Sequence, residues 1–352
     1  MSQALSALVH PEDHRPPRIH TPVDLDAPGK QTGYLSLPHS TNESAWGAIR
    51  VPVAVIANGT GPTILFTGGN HGDEYEGPIA LMKLIRSLEA EQVQGRVIVL
   101  PAMNFPAVQA GTRLSPVDGE NMNRIFPGDR DGSATRALAD YVSTELVSRA
   151  DAVVDIHAGG KTLNFVPSAV MHHLADEQLM RRTLAALRAF GAPYGMVLTE
   201  LDAAGMLDTV VEEAGKIFIS TELGGGGTVT TDSVAIADTG VWNLLKHFDV
   251  VHGEALSREA RGLEPTRLLH VPDANSYVLA EEAGIYEVAA DLGDRVRQGQ
   301  CVGRIHFYET PWHKPAGVAA GRDGTIICRH HPGLVKPGDC LAVIGEDLNL
   351  DF

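Results

Sequence analysis

A chain of 352 residues, 43% hydrophobic and 20% charged, can bury a substantial core in one large domain or two. Its 28 basic against 44 acidic residues leave a net charge of −16, which argues against nucleic acid or an anionic membrane as the main partner, since both attract positive surfaces. No run reaches the roughly 18 apolar residues of a membrane span, no basic stretch leads into an apolar core at the start, and three sparse cysteines, Cys301, Cys328 and Cys340, suit reduced thiols of a cytoplasmic protein better than a disulfide framework.

Residues 1 to about 30 are rich in Pro, His and Asp and read as a surface arm or irregular lead-in. Strand character begins near residue 35, and Ile49 to Ile56 alternates as an edge strand that tolerates Pro52. After the turn Asn58-Gly-Thr-Gly61, Pro62 to Thr67 is a short apolar run suited to a buried strand. Helical spacing follows over Ile79–Leu88, a buried strand over Arg96–Pro101, a helix over Ala134–Val147 and a strand over Ala152–Ile156. Leu179–Phe190 is helical, Lys216–Glu222 is a strand running into Gly224-Gly-Gly-Gly227, and Ser233–Phe248 is the last helix. This alternation predicts an α/β fold with a mixed sheet, parallel in its centre, and helices on both faces. Ligands gather at the carboxyl ends of such strands, where His71, His157 and Glu222 fall.

Beyond about residue 262 the strands become short and glycines recur. Gly284 to Ile305 matches Gly324 to Ile344 apart from one residue, an internal repeat that resembles the half-barrels of biotinyl and lipoyl carrier domains. Those carriers modify a lysine in a Met-Lys-Met or Asp-Lys-Ala setting, and Lys314 in Trp-His-Lys-Pro has neither. The expected organisation is an arm over 1–30, a catalytic domain over 31–262, and a small all-β domain over 263–352 without a carrier role.

His71 and Glu74 stand three apart at a strand-to-helix corner, in Phe66-Thr-Gly-Gly-Asn-His71-Gly-Asp-Glu74. A bare His-x-x-Glu is more often a turn histidine and a helix-capping carboxylate. Here Asp155-Ile-His157 ends a later buried strand, and two His with one Glu and an open fourth position form the ligand set of catalytic zinc hydrolases. Asp155, two residues before His157 and on the same face of the strand, is placed to orient that imidazole. Glu222 is the candidate general base, with Glu200, Glu212 and Glu213 as competitors in less strand-like settings. Between Gly111 and Gly128 an irregular loop carries Arg113, Asp118, Asn121, Asn123 and Arg124, whose guanidinium forks match carboxylates or a polarised carbonyl; alone it also reads as a surface loop held by Arg–Asp pairs.

The order His71-x-x-Glu74, Arg113…Asp118…Asn123-Arg124-x-Phe-Pro-Gly, Asp155-Ile-His157 and Thr221-Glu222-Leu resembles the succinylglutamate desuccinylase/aspartoacylase family, over roughly residues 60 to 225. The resemblance implies a zinc carboxypeptidase-like fold and hydrolysis of acyl amides of small amino acids. It implies one Zn2+ per chain on His71, Glu74 and His157, and Arg113 polarising the scissile carbonyl. It also implies Asn123 and Arg124 holding the substrate carboxylate, and Glu222 acting as base and then acid. Within the family the overall run is most similar to the branch that deacetylates N-acetyl-L-2,4-diaminobutyrate in ectoine breakdown. The free amine of that substrate wants an acidic partner, for which Asp73, Glu76, Asp202 and Asp208 are candidates by charge alone. Succinylglutamate or N-acetylaspartate as substrate, a carboxypeptidase, and a non-catalytic binding module are the competing readings. A homo-oligomer such as a dimer is compatible with all of them.

Overall fold

The computed structural model describes residues 18–199 and 204–349. Ten strands come first: β1 (Gly29–Pro38), β2 (Ala48–Asn58), β3 (Thr63–Gly68), β4 (Gly95–Leu100), β5 (Ala152–Ile156), β6 (Leu163–Phe165), β7 (Ser168–His172), β8 (Tyr194–Leu198), β9 (Ile217–Glu222) and β10 (Arg267–Val271). Among the described residues six α-helices alternate with them: α1 (Glu76–Ser87), α2 (Phe105–Ala110), α3 (Ala134–Tyr141, continued by a π turn to Val147), α4 (Glu177–Phe190), α5 (Leu207–Glu213) and α6 (Thr231–His247). The C-terminal strands are β11 (Tyr277–Leu279), β12 (Gly284–Val288), β13 (Arg295–Val296), β14 (Cys301–His306), β15 (Ala316–Ala319), β16 (Gly324–His330), β17 (Leu334–Val335) and β18 (Cys340–Asp347).

Among the described residues the large sheet has the order β1-β2-β4-β3-β5-β9-β7-β8-β10-β18-β16-β13. Its centre, β4-β3-β5-β9, is parallel, and β7 runs antiparallel to β9 with Ser168 opposite Glu222. The parallel strands are apolar on both faces because helices cover both. Ile64, Phe66, Val97, Val154 and Ile219 face one side, under Leu81 and Leu84 of α1, Leu184 and Leu187 of α4, and Leu244 of α6. Leu65, Ile98, Leu100, Val153 and Phe218 face the other, under Leu138 of α3 and Val210 of α5. Ile64, Leu65 and Phe66 have no solvent exposure, and each such side chain stabilises the fold by about 1.5–3 kcal/mol.

β2 is not the edge strand its Pro52 suggested: it lies between β1 and β4. Pro52 is accommodated because β4 pairs only with Ala54 to Asn58, leaving the proline a partner, Tyr34, on β1 alone. The described part of the N-terminal segment is irregular yet packed, with Ile19, Val23 and Leu25 buried and His20 exchanging backbone hydrogen bonds with Ser36.

The two sequence repeats interlock. The first copy places β12 and β14 in a four-stranded sheet of order β15-β14-β12-β17, and the second places β16 and β18 in the large sheet. Each copy lends its shortest strand to the other: β13 pairs with β16, and β17 pairs with β12. Through β10 and β18 the large sheet continues without a break into these C-terminal strands.

Candidate metal centre

The corner after β3 is held by backbone bonds to the segment after β4: Met103 N to Gly68 O at 2.8 Å, Asn104 N to Gly69 O at 3.0 Å, and Gly72 N to Thr112 O at 2.9 Å. At Gly72 a Cβ would lie 2.0 Å from the backbone of Ala107, so no side chain fits there. Tight packing of the glycine turns the chain so that His71 and Glu74, both buried, point the same way. His157 arrives from the neighbouring parallel strand β5, its backbone N–H donating to Thr221 Oγ1 (3.0 Å) and its carbonyl accepting from the same hydroxyl (2.9 Å).

Glu74 bridges the two imidazoles, with Oε1 2.8 Å from His71 Nδ1 and Oε2 2.8 Å from His157 Nδ1. The far nitrogens are also anchored: His71 Nε2 lies 3.2 Å from Asn121 Oδ1, and His157 Nε2 lies 2.8 Å from Asp155 Oδ2. Nε2–H of each ring donates to Asn121 and Asp155, which leaves both Nδ1 atoms facing Glu74, as ligands of an ion between them or, without one, sharing a proton with the carboxylate. One ligand atom from each residue lies within 4.8 Å of the others. Two imidazole nitrogens and a carboxylate, each imidazole fixed from behind, are the donor set a divalent metal with an open coordination position requires. The three residues line a cavity of about 360 Å3, which supplies that open side. The site fits the ion.

The same residues carry strongly perturbed charges. Burial alone would raise the Glu74 pKa, but His71 and His157 outweigh it and hold the carboxyl well below its usual range. His71 is pushed down by burial, with Arg113 and His157 adding to the effect against Glu74. Burial opposes the charge on His157, yet Asp155 and Glu74 on either side raise its pKa well above the ordinary value. Asp155 is itself locked by hydrogen bonds from Thr67 Oγ1 (2.7 Å) and Asn70 Nδ2 (2.9 Å).

Glu222 ends β9 and lines the same cavity, with Oε2 buried and without a hydrogen-bond partner. Burial, then the charge of Glu74, push its carboxyl up to about 8, against the opposing pull of His157 and Arg113. Arg113 reaches in from its loop, its guanidinium 3.6 Å from Glu74 Oε1 and 3.3 Å from His71 Nδ1, with nearly half of its side chain exposed. Asn123 and Arg124 line the cavity too. Asn123 Oδ1 accepts from Leu207 N (3.1 Å), so its Nδ2 is the group left for a ligand. Arg124 rests on its neighbour's carbonyl, Nη1 to Asn123 O at 2.6 Å.

Other expected residues go elsewhere. Asp118 accepts from Thr135 N and Thr135 Oγ1, both at 2.8 Å, and anchors the start of α3. Glu212 pairs with His172 at 3.0 Å, and neither it nor Glu213 lines the cavity, whereas Glu200 lies outside the described residues. Of the acids considered for a substrate amine, Asp73 accepts from Lys161 N (2.9 Å) and Glu76 from Ser233 Oγ (2.9 Å), both away from the cavity. Asp202 lies outside the described residues, and Asp208 lines the cavity.

Asn121, Asn70, Thr67 and Thr221 were not assigned roles from sequence. Asn70 had a signal, standing next to His71, and Asn121 had one in the polar spacing Asn-Met-Asn. Thr67 and Thr221 act through partners 88 and 64 residues away, which no local pattern reveals.

Comparison with known proteins follows the same lines. The succinylglutamate desuccinylase/aspartoacylase catalytic-domain profile matches residues 60–248. An N-alpha-acetyl-L-2,4-diaminobutyric acid deacetylase of Halomonas elongata is 49% identical over 336 residues, covering 96% of this chain and 97% of the relative. A product-bound structure of the ectoine utilization protein EutE (DoeB) from Ruegeria pomeroyi is 46% identical with a TM-score of 0.91, covering 95% of this chain and all of that one. A succinylglutamate desuccinylase/aspartoacylase structure from Rhodobacter sphaeroides is 44% identical with a TM-score of 0.90, covering 94% of this chain and 99% of that one. The chain belongs to the succinylglutamate desuccinylase/aspartoacylase family.

Proposed function

We propose that this protein is a zinc-dependent deacetylase that hydrolyses the amide of N-acetyl-L-2,4-diaminobutyrate in ectoine breakdown. The observation that carries the chemistry is the convergence of His71 Nδ1, Glu74 and His157 Nδ1 on one cavity that also holds the unpartnered carboxyl oxygen of Glu222. The substrate rests on the 49% identical Halomonas elongata deacetylase. The wall supports acetyl over succinyl: apart from the imidazoles, the cations lining the cavity among the described residues are Arg113 and Arg124. With one given to the carbonyl and one to the amino-acid carboxylate, a succinyl carboxylate would be desolvated without a partner.

His71, Glu74 and His157 would hold the ion, and the chemistry it supplies when bound is Lewis-acid activation of water and of the amide carbonyl. Arg113 donates to the carbonyl oxygen as it gains charge. Glu222 takes a proton from the attacking water and delivers it to the nitrogen as the C–N bond breaks, leaving acetate and the free amino acid. Asp155 keeps the His157 ring in register, and Asn123 Nδ2 with Arg124 hold the substrate carboxylate. The C-terminal strands, which exchange β13 and β17, are read as biotinyl/lipoyl-like half-barrels, and the free thiols Cys301, Cys328 and Cys340 suit a reducing cytoplasm.

Kinetics of the zinc-loaded enzyme on N-acetyl-diaminobutyrate, N-acetylaspartate and N-succinylglutamate, each with and without chelator, test the assignment. The acetylated diamino acid should have the highest kcat/KM, and chelation should abolish it. Dominant turnover of the succinylated substrate, or activity indifferent to chelation, would overturn it.

A further inference from the structure

A diaminobutyrate side chain brings a second cation into the cavity, and nothing in the metal centre receives it. Four carboxylates line the cavity among the described residues: Glu74, Asp155, Glu222 and Asp208. Glu74 and Asp155 are fully engaged with the two histidines and their neighbours, and Glu222 is assigned to proton transfer. Asp208 is free of such duties. Its Oδ1 accepts from the adjacent Thr209 N (2.6 Å) and Thr209 Oγ1 (3.2 Å), and its Oδ2 accepts from none of the described residues.

The surroundings of Asp208 tie it to the substrate-holding loop. Asn123 Oδ1 accepts from Leu207 N, and Phe126 N donates to Gly205 O at 2.9 Å, so the residues flanking Asp208 are laced to those flanking Arg124. A Cβ on Gly205 would lie 2.3 Å from Arg124 O, a measure of how closely the two segments run. The cavity therefore places a guanidinium and a carboxylate on two joined segments, a pairing suited to a carboxylate and an ammonium on one short substrate. The remaining wall is mainly apolar (Val170, Met196, Leu198 and Val271), so an ammonium there without Asp208 would be desolvated and unpaired.

We infer that Asp208 receives the free amine of the substrate and sets the preference for a diamino acid over neutral side chains of equal length. The inference rests on the diaminobutyrate reading above and names its recognition element. N-acetyl-L-norvaline replaces the amine by a methyl group at the same length, and serves as the probe beside N-acetyl-L-2,4-diaminobutyrate. The wild type should favour the amine substrate, and Asp208→Asn should lower the ratio of the two kcat/KM values by about tenfold or more, mainly through KM for the amine substrate. Asp208→Glu should recover part of the ratio. An unchanged ratio in Asp208→Asn, whether both rates fall together or neither falls, overturns the role of Asp208 and leaves the substrate reading standing. A wild type that ignores the amine substrate while hydrolysing another acyl amino acid overturns the substrate reading and this inference with it.

Discussion

Glu222 carries two opposed demands. As the proposed base it must be ionised, while burial and the nearby charge of Glu74 favour its neutral form, with a pKa raised from 4.5 to about 8. A cation bound among His71, Glu74 and His157 draws that value back down, so the acid limb of the kcat/KM profile should lie between 4.5 and 8, with activity rising as pH rises. The sign for stability is reversed. Ionising a carboxyl whose folded pKa is raised destabilises the metal-free fold, an effect absent below 4.5, growing to about 8 and constant above. Glu222→Gln should therefore cut kcat by about 10²–10⁴-fold, keep its zinc, and gain in metal-free stability over wild type as pH rises through that window. Denaturant titrations at pH 5 and pH 8 beside the rate measurement check both parts, and a variant with wild-type turnover would remove Glu222 from the mechanism.

At the scale of elements, the loop after β9 depends on a strand that the linear sequence hides. β6 pairs with β16, and the same short strand bonds the glycine run: Phe165 N to Gly224 O at 3.0 Å and Gly226 N to Leu163 O at 3.0 Å. Gly159, two residues after His157, donates to Gly224 O as well, so the histidine loop and the glutamate loop share one clamp. Gly225 has φ 145, and a Cβ there would sit 2.0 Å from Leu163 O. Gly225→Ala should force the clamp apart, with a fall in kcat/KM of about tenfold or more and a stability loss of about 1–3 kcal/mol. Wild-type kinetics in that variant would show that the clamp does not position Glu222.

For the molecule as a whole, the continuous apolar runs of the central strands and the longer periodic helices were legible. Ala152–Ile156 is the strand its apolar run predicts, and the helices expected over Leu179–Phe190 and Ser233–Phe248 begin only two residues earlier than expected, at Glu177 and Thr231. β6, β7, β8, α2 and α5 were not read from sequence; β5 is as short as β7 and β8, so length alone does not separate them, and β6 to β8 take their places by pairing with strands such as β16, β9 and β10 further along the chain. That His71, His157 and Glu222 meet at one cavity was legible because parallel strands deliver them to one edge, a consequence of sheet topology. Asn121 behind His71, and the choice of Asp208 among four acids, needed the folded chain, since both depend on which loops meet. The edge position of β2 was misread because Pro52 forbids pairing at one residue, while β4 joins only from Ala54 onward.

The central claim is that one zinc ion on His71, Glu74 and His157 makes this fold an amide hydrolase. Titrating metal-stripped protein with zinc while following acetate release from N-acetyl-L-2,4-diaminobutyrate tests it in one measurement. Activity should rise in proportion to added zinc and break at one ion per chain. Full activity before any zinc is added, or a break at two ions or more, would contradict the account.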